Sequence, residues 1–263
     1  MQDYWHKQLP DKPLYPDLLW SRPEQAAHAG KLLVIGGNAF GFSAPAEAFQ
    51  AALDAGIGTC RVILPDRLQK TVGRILEAGE YAPSTPSGSF SKKSLATLLD
   101  YSQWADATLL AGDFGRNSET AIALESFVTK NASLIAITKD GIDYFIHTPL
   151  TLLQRKQTLL VMSFAQLQKY AVHAKFEHAF TFDMNFMRII ELLHIISSRY
   201  EAAIIVRHLD TIFISYKGDI STTKIDNEEK IWRVKTSARA VVWQLQNPQN
   251  VFQALTTSVV ISR

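Results

Sequence analysis

The residues best suited to chemistry early in the chain are Gly36, Gly37, Asn38 and Gly41. They separate an apolar run, Leu32 to Ile35, from an Ala-rich segment opened by Ser43, Ala44 and Pro45. Backbone N–H groups exposed in such a turn, beside a helix N-terminus, attract an anion such as a phosphate or carboxylate. The same glycines serve equally well as a tight turn that lets a helix and a strand pack closely. Neither the Walker lysine pattern nor the Rossmann glycine spacing is met, so the turn alone names no ligand. Arg116, which follows Gly115 at a predicted helix start, offers either a cation for an anion or a surface ion pair with Glu119. His173, Glu177 and His178 do not share one helical face, which argues against a metal centre. The five tryptophans lack basic interleaving, which argues against a single-stranded nucleic-acid platform.

The elements that position these residues are legible in the pattern. Lys31 to Ile35 is a strand covered on both faces, because its apolar run is unbroken. Ser43 is expected as the N-cap of a helix reaching about Ala55, with Gly56 as its stop. Thr59 to Leu64 is then a second strand, and a strand–helix–strand unit of this length makes a right-handed parallel crossover. Beyond it, Asp66 is expected to cap a helix from Arg67 to about Ala78, and residues 79–91 form a mobile loop rich in Ser, Pro and Gly. Helices are expected at Ser94 to Trp104, Ser118 to Thr129, Phe164 to His173 and Met184 to Tyr200, the last capped by Asp183. Strands are expected at Ala107 to Ala111, Leu134 to Thr138 and Thr158 to Met162. Ala203 to Val206, Thr211 to Tyr216 and Ser221 to Ile225 read as a hairpin series with a turn at Lys217, Gly218 and Asp219. Asp226 and Asn227 cap or turn ahead of Trp232, and helices follow near Ala238 to Gln246 and Gln249 to Ser258. Alternating strands and helices followed by a β-meander give an α/β protein.

Composition narrows the class further. A chain of 263 residues with 47% hydrophobic content supports one large core, expected over residues 31–263. Residues 1–30, with four prolines, are expected as an extended arm anchored by Trp5, Tyr15 and Trp20. A net charge of +2 gives no reason to expect a nucleic-acid or membrane surface. The single cysteine, Cys60, falls in a predicted buried strand; it reads as a small apolar residue, with a reactive thiol as the alternative. The first residues carry charge and no apolar run, and a cytoplasmic location is expected.

The order of segments resembles a known family. LLVIGGNAFGFSAPAEAFQAALDAGIG is similar to the opening signature of the ADP- or ATP-dependent NAD(P)H-hydrate dehydratases of the ribokinase-like superfamily. ADATLLAGDFGRNSET, residues 105–120, resembles that family's second Gly-rich turn, and ITKDGIDYF, residues 137–145, its acidic segment, with Asp140 at the matching place. AIIVRHLDTIFIS, residues 203–215, resembles the strand pair that carries a Lys-Gly in the family. The resemblance implies a three-layer α/β/α sandwich with a mostly parallel central sheet. It also implies a cleft for ADP or ATP with Mg²⁺ and for NAD(P)H or its hydrate. Ligand contacts would come from Gly36, Gly37, Asn38, Phe40, Gly41, Gly112, Asp113, Gly115, Arg116, Asp140, Arg207, Ser237 and Arg239.

The departures bear on function. The family closes its site with a Gly-Thr-Gly-Asp turn, whose amides form an anion hole and whose Asp is the general base; the matching residues here are Thr236, Ser237, Ala238 and Arg239. A guanidinium cannot accept a proton at neutral pH. The family's His-Pro-Gly-Glu turn is replaced by Ser163, Phe164, Ala165 and Gln166, its Lys-Gly by Arg207 and His208, and a glycine of the second turn by Asp113. Arg207 and Arg239 either converge on one cationic cleft, or Arg239 turns outward. Three expectations follow: a family member with lost or reduced dehydratase activity, an active enzyme in which Asp140 or Asp113 has become the base on a changed substrate, or a non-catalytic structural or regulatory subunit that assembles with copies of itself or with an active paralogue.

Overall fold

The computed structural model describes residues 3–72, 79–225 and 232–260. Among them, ten strands form one sheet: β1 Trp5–Gln8, β2 Lys31–Gly36, β3 Thr59–Pro65, β4 Gly79–Ala82, β5 Ala107–Gly112, β6 Leu134–Thr138, β7 Thr158–Ser163, β8 Ala203–His208, β9 Thr211–Tyr216 and β10 Asp219–Lys224. The principal helices are α1 Ser43–Asp54, α2 Gln69–Val72, α3 Ser94–Trp104, α4 Ser118–Lys130, α5 Asp140–Asp143, α6 Leu150–Leu153, α7 Phe164–His173, α8 Phe186–Arg199, α9 Trp232–Gln246 and α10 Val251–Ser258.

Strand order across the sheet is β1-β10-β9-β8-β7-β6-β5-β2-β3-β4. Neighbours from β8 through β7, β6, β5 and β2 to β3 and β4 pair in parallel, whereas β8, β9 and β10 pair antiparallel. The unbroken apolar runs of β2, β5 and β6 have the expected cause, since both faces are covered. Leu33, Ile35, Leu110 and Ile137 face a core shared with Leu98, Phe127, Leu167 and Leu193 of α3, α4, α7 and α8. Leu32, Val34, Leu109 and Ala136 face a second core, shared with Ala48, Ala52, Val241 and Leu255 of α1, α9 and α10. The result is a helix–sheet–helix sandwich.

The chain leaves β2 toward β3 and β4 on one side, then returns and adds β5, β6, β7 and β8 on the other. Strand order therefore reverses between β2 and β5, and in open α/β sheets the crevice outside the carboxyl ends of such a pair is where ligands bind.

Several local expectations are corrected. Trp5 does anchor the chain start, donating from Nε1 to Thr222 Oγ1 at 3.0 Å, but it does so from an edge strand, and Trp20 is exposed. The segment from Gly79 begins as β4, which lacks an apolar run because it is a short, half-covered edge strand paired with β3. The rest of that loop is tied down: Ser84 donates to Asp66 Oδ1, Ala39 N–H to the Gly88 carbonyl at 2.9 Å, and Phe90 is buried. Asp66 sits inside a 3-10 turn leading to α2; the expected continuation to Ala78 lies outside the described residues, as do Asp226 and Asn227. Asn185 rather than Asp183 caps α8, accepting the Arg188 N–H at 2.8 Å. Helix α9 begins at Trp232, six residues before the expected start at Ala238.

Candidate functional site

The two Gly-rich turns meet at the carboxyl ends of β2 and β5. A Cβ on Gly36 would stand 2.5 Å from the Gly112 carbonyl oxygen, so this crossing of backbones admits only glycine. Gly37 donates its N–H to the same carbonyl at 2.9 Å, and Asn38 and Gly41 exchange backbone hydrogen bonds at 2.8 and 3.1 Å. The Asn38 side chain donates to the Asp113 carbonyl at 2.5 Å and accepts from Phe40 N–H at 2.8 Å. The amide of Gly37 is thus spent on locking one turn to the other, and those of Asn38 and Gly41 on closing the first turn on itself. Phe40 stands out from the turn, 93% exposed.

What caps α1 comes from the far turn. Ser43 is the first helical residue and Phe42 the cap position, with no side-chain bond of its own. Asp113 Oδ2 accepts from Ala44 N–H at 2.7 Å and from Ser43 Oγ at 3.2 Å, while its Oδ1 takes Lys139 Nζ at 2.5 Å. Asp113 holds φ 60°, a left-handed conformation that glycine adopts without strain. Burial works to raise its carboxyl, but Lys139, the Ala44 amide and the Ser43 hydroxyl outweigh that and hold it below the usual carboxylate range.

Asp140 opens the short helix α5 one strand away. Its Oδ2 accepts the Gly115 N–H at 3.1 Å, whereas Oδ1 is buried with no hydrogen-bond partner among the described residues. Burial, assisted by the charge of Asp113, raises this carboxyl above its ordinary value even against the Gly115 bond. Tyr144 donates its hydroxyl to the Gly115 carbonyl at 2.5 Å, fixing the turn from below.

Ser163 and Gln166 form a reciprocal capping box at the start of α7. Gln166 Nε2 then donates to the Lys139 carbonyl at 2.7 Å and to Asp143 Oδ1 at 2.8 Å. Its Oε1 accepts from Arg233 at 3.0 Å. Burial lowers the Arg233 guanidinium against the opposing pull of Asp143 and Asp140. Arg233 was not among the sequence candidates, because α9 was expected to start beyond it. A helix pattern extended back to Trp232 would have put it on the first turn.

The stretch from Thr236 to Arg239 is helical. Thr236 is the fifth residue of α9, and Ser237, Ala238 and Arg239 follow it within the helix. Amides at these positions bond to carbonyls four residues back and are not presented to a ligand. Ser237 is buried and donates its hydroxyl to the Val234 carbonyl at 2.8 Å. Arg207, on β8 in register with Ser163, donates Nε to the Leu209 carbonyl at 3.0 Å.

A cavity of about 560 Å³ opens beside these turns, lined by Gly115, Arg116, Asn117, Ser118, Asp140, Asp143 and Tyr144. Arg116 is exposed at its rim and forms no ion pair with Glu119, whose carboxylate instead accepts the Lys92 N–H at 3.1 Å. Arg207 and Arg239 do not line it. No cluster of three or more metal-ligating side chains exists among the described residues, and His173 packs edge-on to His147 rather than toward His178.

No family profile and no curated protein matches the sequence. Solved structures do match. A ribokinase-like superfamily protein from Enterococcus faecalis V583 superposes with a TM-score of 0.73 at 13% identity, covering 99% of this chain and 86% of that one. The fold is ribokinase-like. The ADP/ATP-dependent NAD(P)H-hydrate dehydratase of Bacillus subtilis, co-crystallised with ATP/Mg²⁺, gives a TM-score of 0.58 at 12% identity over 94% of this chain and 86% of that one. A Staphylococcus aureus pyridoxal kinase in complex with AMP-PCP and pyridoxal gives 0.53 at 12% identity over 87% and 84%. Within the ribokinase-like fold, the switch-point crevice between β2 and β5 and the cavity at Asp140 lie on the same carboxyl edge of the sheet. Among the described residues no helix is long and apolar enough to cross a membrane.

Proposed function

We propose that this chain is a divergent ribokinase-like relative of the NAD(P)H-hydrate dehydratases that does not carry out nucleotide-dependent dehydration but keeps a small-molecule cleft on the carboxyl edge of its sheet. The observation that carries this reading is the continuity of α9 through Thr236, Ser237, Ala238 and Arg239. The stretch offers neither open amides for a phosphate nor a carboxylate for a proton, and loss of a positioned general base alone typically costs about 10²- to 10⁴-fold in rate. The α1 N-terminus, a second place for an anion, is filled by Asp113 of the same chain. The ligand class that fits the remaining cavity is a nucleotide such as ADP, ATP or NAD(P)H, with Arg116 at the rim for a phosphate and Asp140 within for a hydroxyl. Mg²⁺ is held through one or two carboxylates plus substrate phosphates. Asp140, which lines the cavity, is the donor that could take part, and the ion would supply charge neutralisation there. The reading includes one unit over residues 31–263 with the first 30 residues as an arm that adds β1 to the edge of its sheet, a cytoplasmic location, and assembly with copies of itself.

The test is a turnover assay on hydrated NADH with ADP or ATP and Mg²⁺, paired with melting curves in the presence of each nucleotide. Expected are no turnover and a clear stabilisation by at least one nucleotide; a ligand at a hundred times its Kd stabilises by about 2.7 kcal/mol. Turnover at rates ordinary for enzymes would sink the proposal.

One observation favours a second reading, in which the chain is an active kinase or dehydratase with a relocated base. Asp140 has a buried, unpartnered oxygen and a raised pKa, as a general base requires. Asp113, with both oxygens committed and its carboxyl held ionised, is the weaker candidate. Any turnover abolished by Asp140→Asn and untouched by Asp113→Asn would select this reading.

A further inference from the structure

Beside the cleft, two histidines that it does not use come together. His147 lies four residues past α5, and His173 is the last residue of α7. Their ring centroids stand 4.8 Å apart with the planes at 84°. Both residues are exposed, and neither ring makes a hydrogen bond or an ion pair among the described residues.

Packing of the α5 segment against α7 fixes where the pair sits. Gln166, Tyr170 and His173 fall at i, i+4 and i+7 of α7, so they share one face. The first two already meet α5: Gln166 Nε2 donates to Asp143 Oδ1 at 2.8 Å, and the buried Tyr170 donates its hydroxyl to the Ile142 carbonyl at 2.9 Å. Past α5 the chain turns tightly, with Ile146 N–H on the Asp143 carbonyl at 3.3 Å and Thr148 N–H on the Phe145 carbonyl at 3.1 Å. Phe145 and Ile146 are buried, so His147 is carried on an anchored turn. His173 against His147 is the third contact along this line.

We propose that His147 and His173 form a site for a divalent transition-metal ion that prefers imidazole, Cu²⁺ first and Zn²⁺ after it, with water in the remaining positions. A metal ion about 2.0–2.1 Å from a ring nitrogen lies about 3.2 Å from the ring centroid, and ligand angles of about 90–110° then put two centroids about 4.5–5.2 Å apart. The observed spacing falls inside that range. Exposed rings without hydrogen bonds turn about their side-chain torsions at little cost, which lets one nitrogen of each face the ion. Among the described residues no Asp, Glu or Cys completes a group of three with them. A donor set of imidazole alone favours Cu²⁺ over Zn²⁺ and does not suit Mg²⁺, which takes oxygen ligands. An ion held there ties the turn after α5 to the end of α7, next to the segment whose Asp140 and Asp143 line the cavity.

Cu²⁺, Zn²⁺ and Mg²⁺ are the probes, each in calorimetric titration of the full chain, and the copper complex is read also by electron paramagnetic resonance for coupling to imidazole nitrogen. One Cu²⁺ is expected to bind with two imidazole nitrogens, Zn²⁺ more weakly and Mg²⁺ not at all. His147→Ala and His173→Ala are each expected to weaken Cu²⁺ at least about tenfold, because a single imidazole does not chelate. Both positions are exposed, so either variant folds. His178→Ala, which alters the neighbouring histidine outside the pair, is expected to leave Cu²⁺ binding unchanged. The proposal is overturned if the parent binds no Cu²⁺, if either His147→Ala or His173→Ala binds it as tightly as the parent, or if His178→Ala rather than these removes binding.

Discussion

Replacing Asp113 with alanine removes in one step the carboxylate that caps α1 and pairs with Lys139. The side chains of the pair keep 16% and 28% of their exposure, so the interaction is screened less than at the surface and more than in a deep core. Hydrogen bonds to a charged group contribute about 1.5–3 kcal/mol each, and Asp113 has two short ones, from Ala44 N–H at 2.7 Å and Lys139 Nζ at 2.5 Å. They share one carboxylate and do not add fully, so about 3 kcal/mol is expected for Asp113→Ala. In a chain of this size that lowers the melting temperature by roughly 6–12 °C. Asp113→Gly should lose about 1 kcal/mol less than alanine, because φ 60° is free to glycine and strained for alanine. The pH dependence has a definite sign. The folded carboxyl lies below its ordinary value, so its stabilisation is complete above the unfolded pKa of about 3.9 and fades as the pH falls through the lower folded value. The stability gap between parent and Asp113→Asn should therefore close on strong acidification. Urea melts from neutral to acid pH measure all three effects. An alanine variant as stable as the parent, or a glycine variant less stable than the alanine one, would refute the capping argument.

Two further outcomes are expected. The Asp140 carboxyl is raised, so ionisation weakens the fold above the unfolded pKa; Asp140→Asn should melt higher than the parent at neutral pH, with the difference vanishing below about pH 4, as differential scanning calorimetry can show. Burial pushes the Cys60 thiol up to about 12, so the native chain should resist iodoacetamide near neutral pH and label at one site only after unfolding, read by mass spectrometry against denaturant concentration.

The sequence carried the parallel core because each of its strands is covered on both faces, and continuous runs such as those at Leu134 to Thr138 and Thr158 to Met162 have no other stable use. Helix α7 was legible from its ends, since Ser163 and Gln166 form a local capping signal. The losses were non-local. Ser43 has the residue type of a cap, but the cap is a carboxylate 69 positions away from the amide that it satisfies, and no window of sequence joins Ala44 to Asp113. The amide of Gly37 looked open because its acceptor, the Gly112 carbonyl, appears only when two turns meet, whereas Asn38 and Gly41 close on each other within their own turn. Arg233 was missed for a different reason: α9 was expected to begin beyond it, and Gln166 and Asp143, which give it a role, come from α7 and α5.

The placement of β1 governs how the molecule is made. Gln8 bonds to Thr223 across 215 positions of chain, and Trp5 to Thr222 across 217. At about 5–20 residues per second of synthesis, the first strand waits roughly 10–40 s for its partner to be translated. The central β2–α1–β3 crossover can close during that interval, because β2 and β3 pair across a single intervening helix, whereas β1 can dock only when the β8–β9–β10 meander is complete. Assembly of the sheet therefore ends at the strand with which the chain began, and Trp5 is a fluorescent reporter placed at that last step.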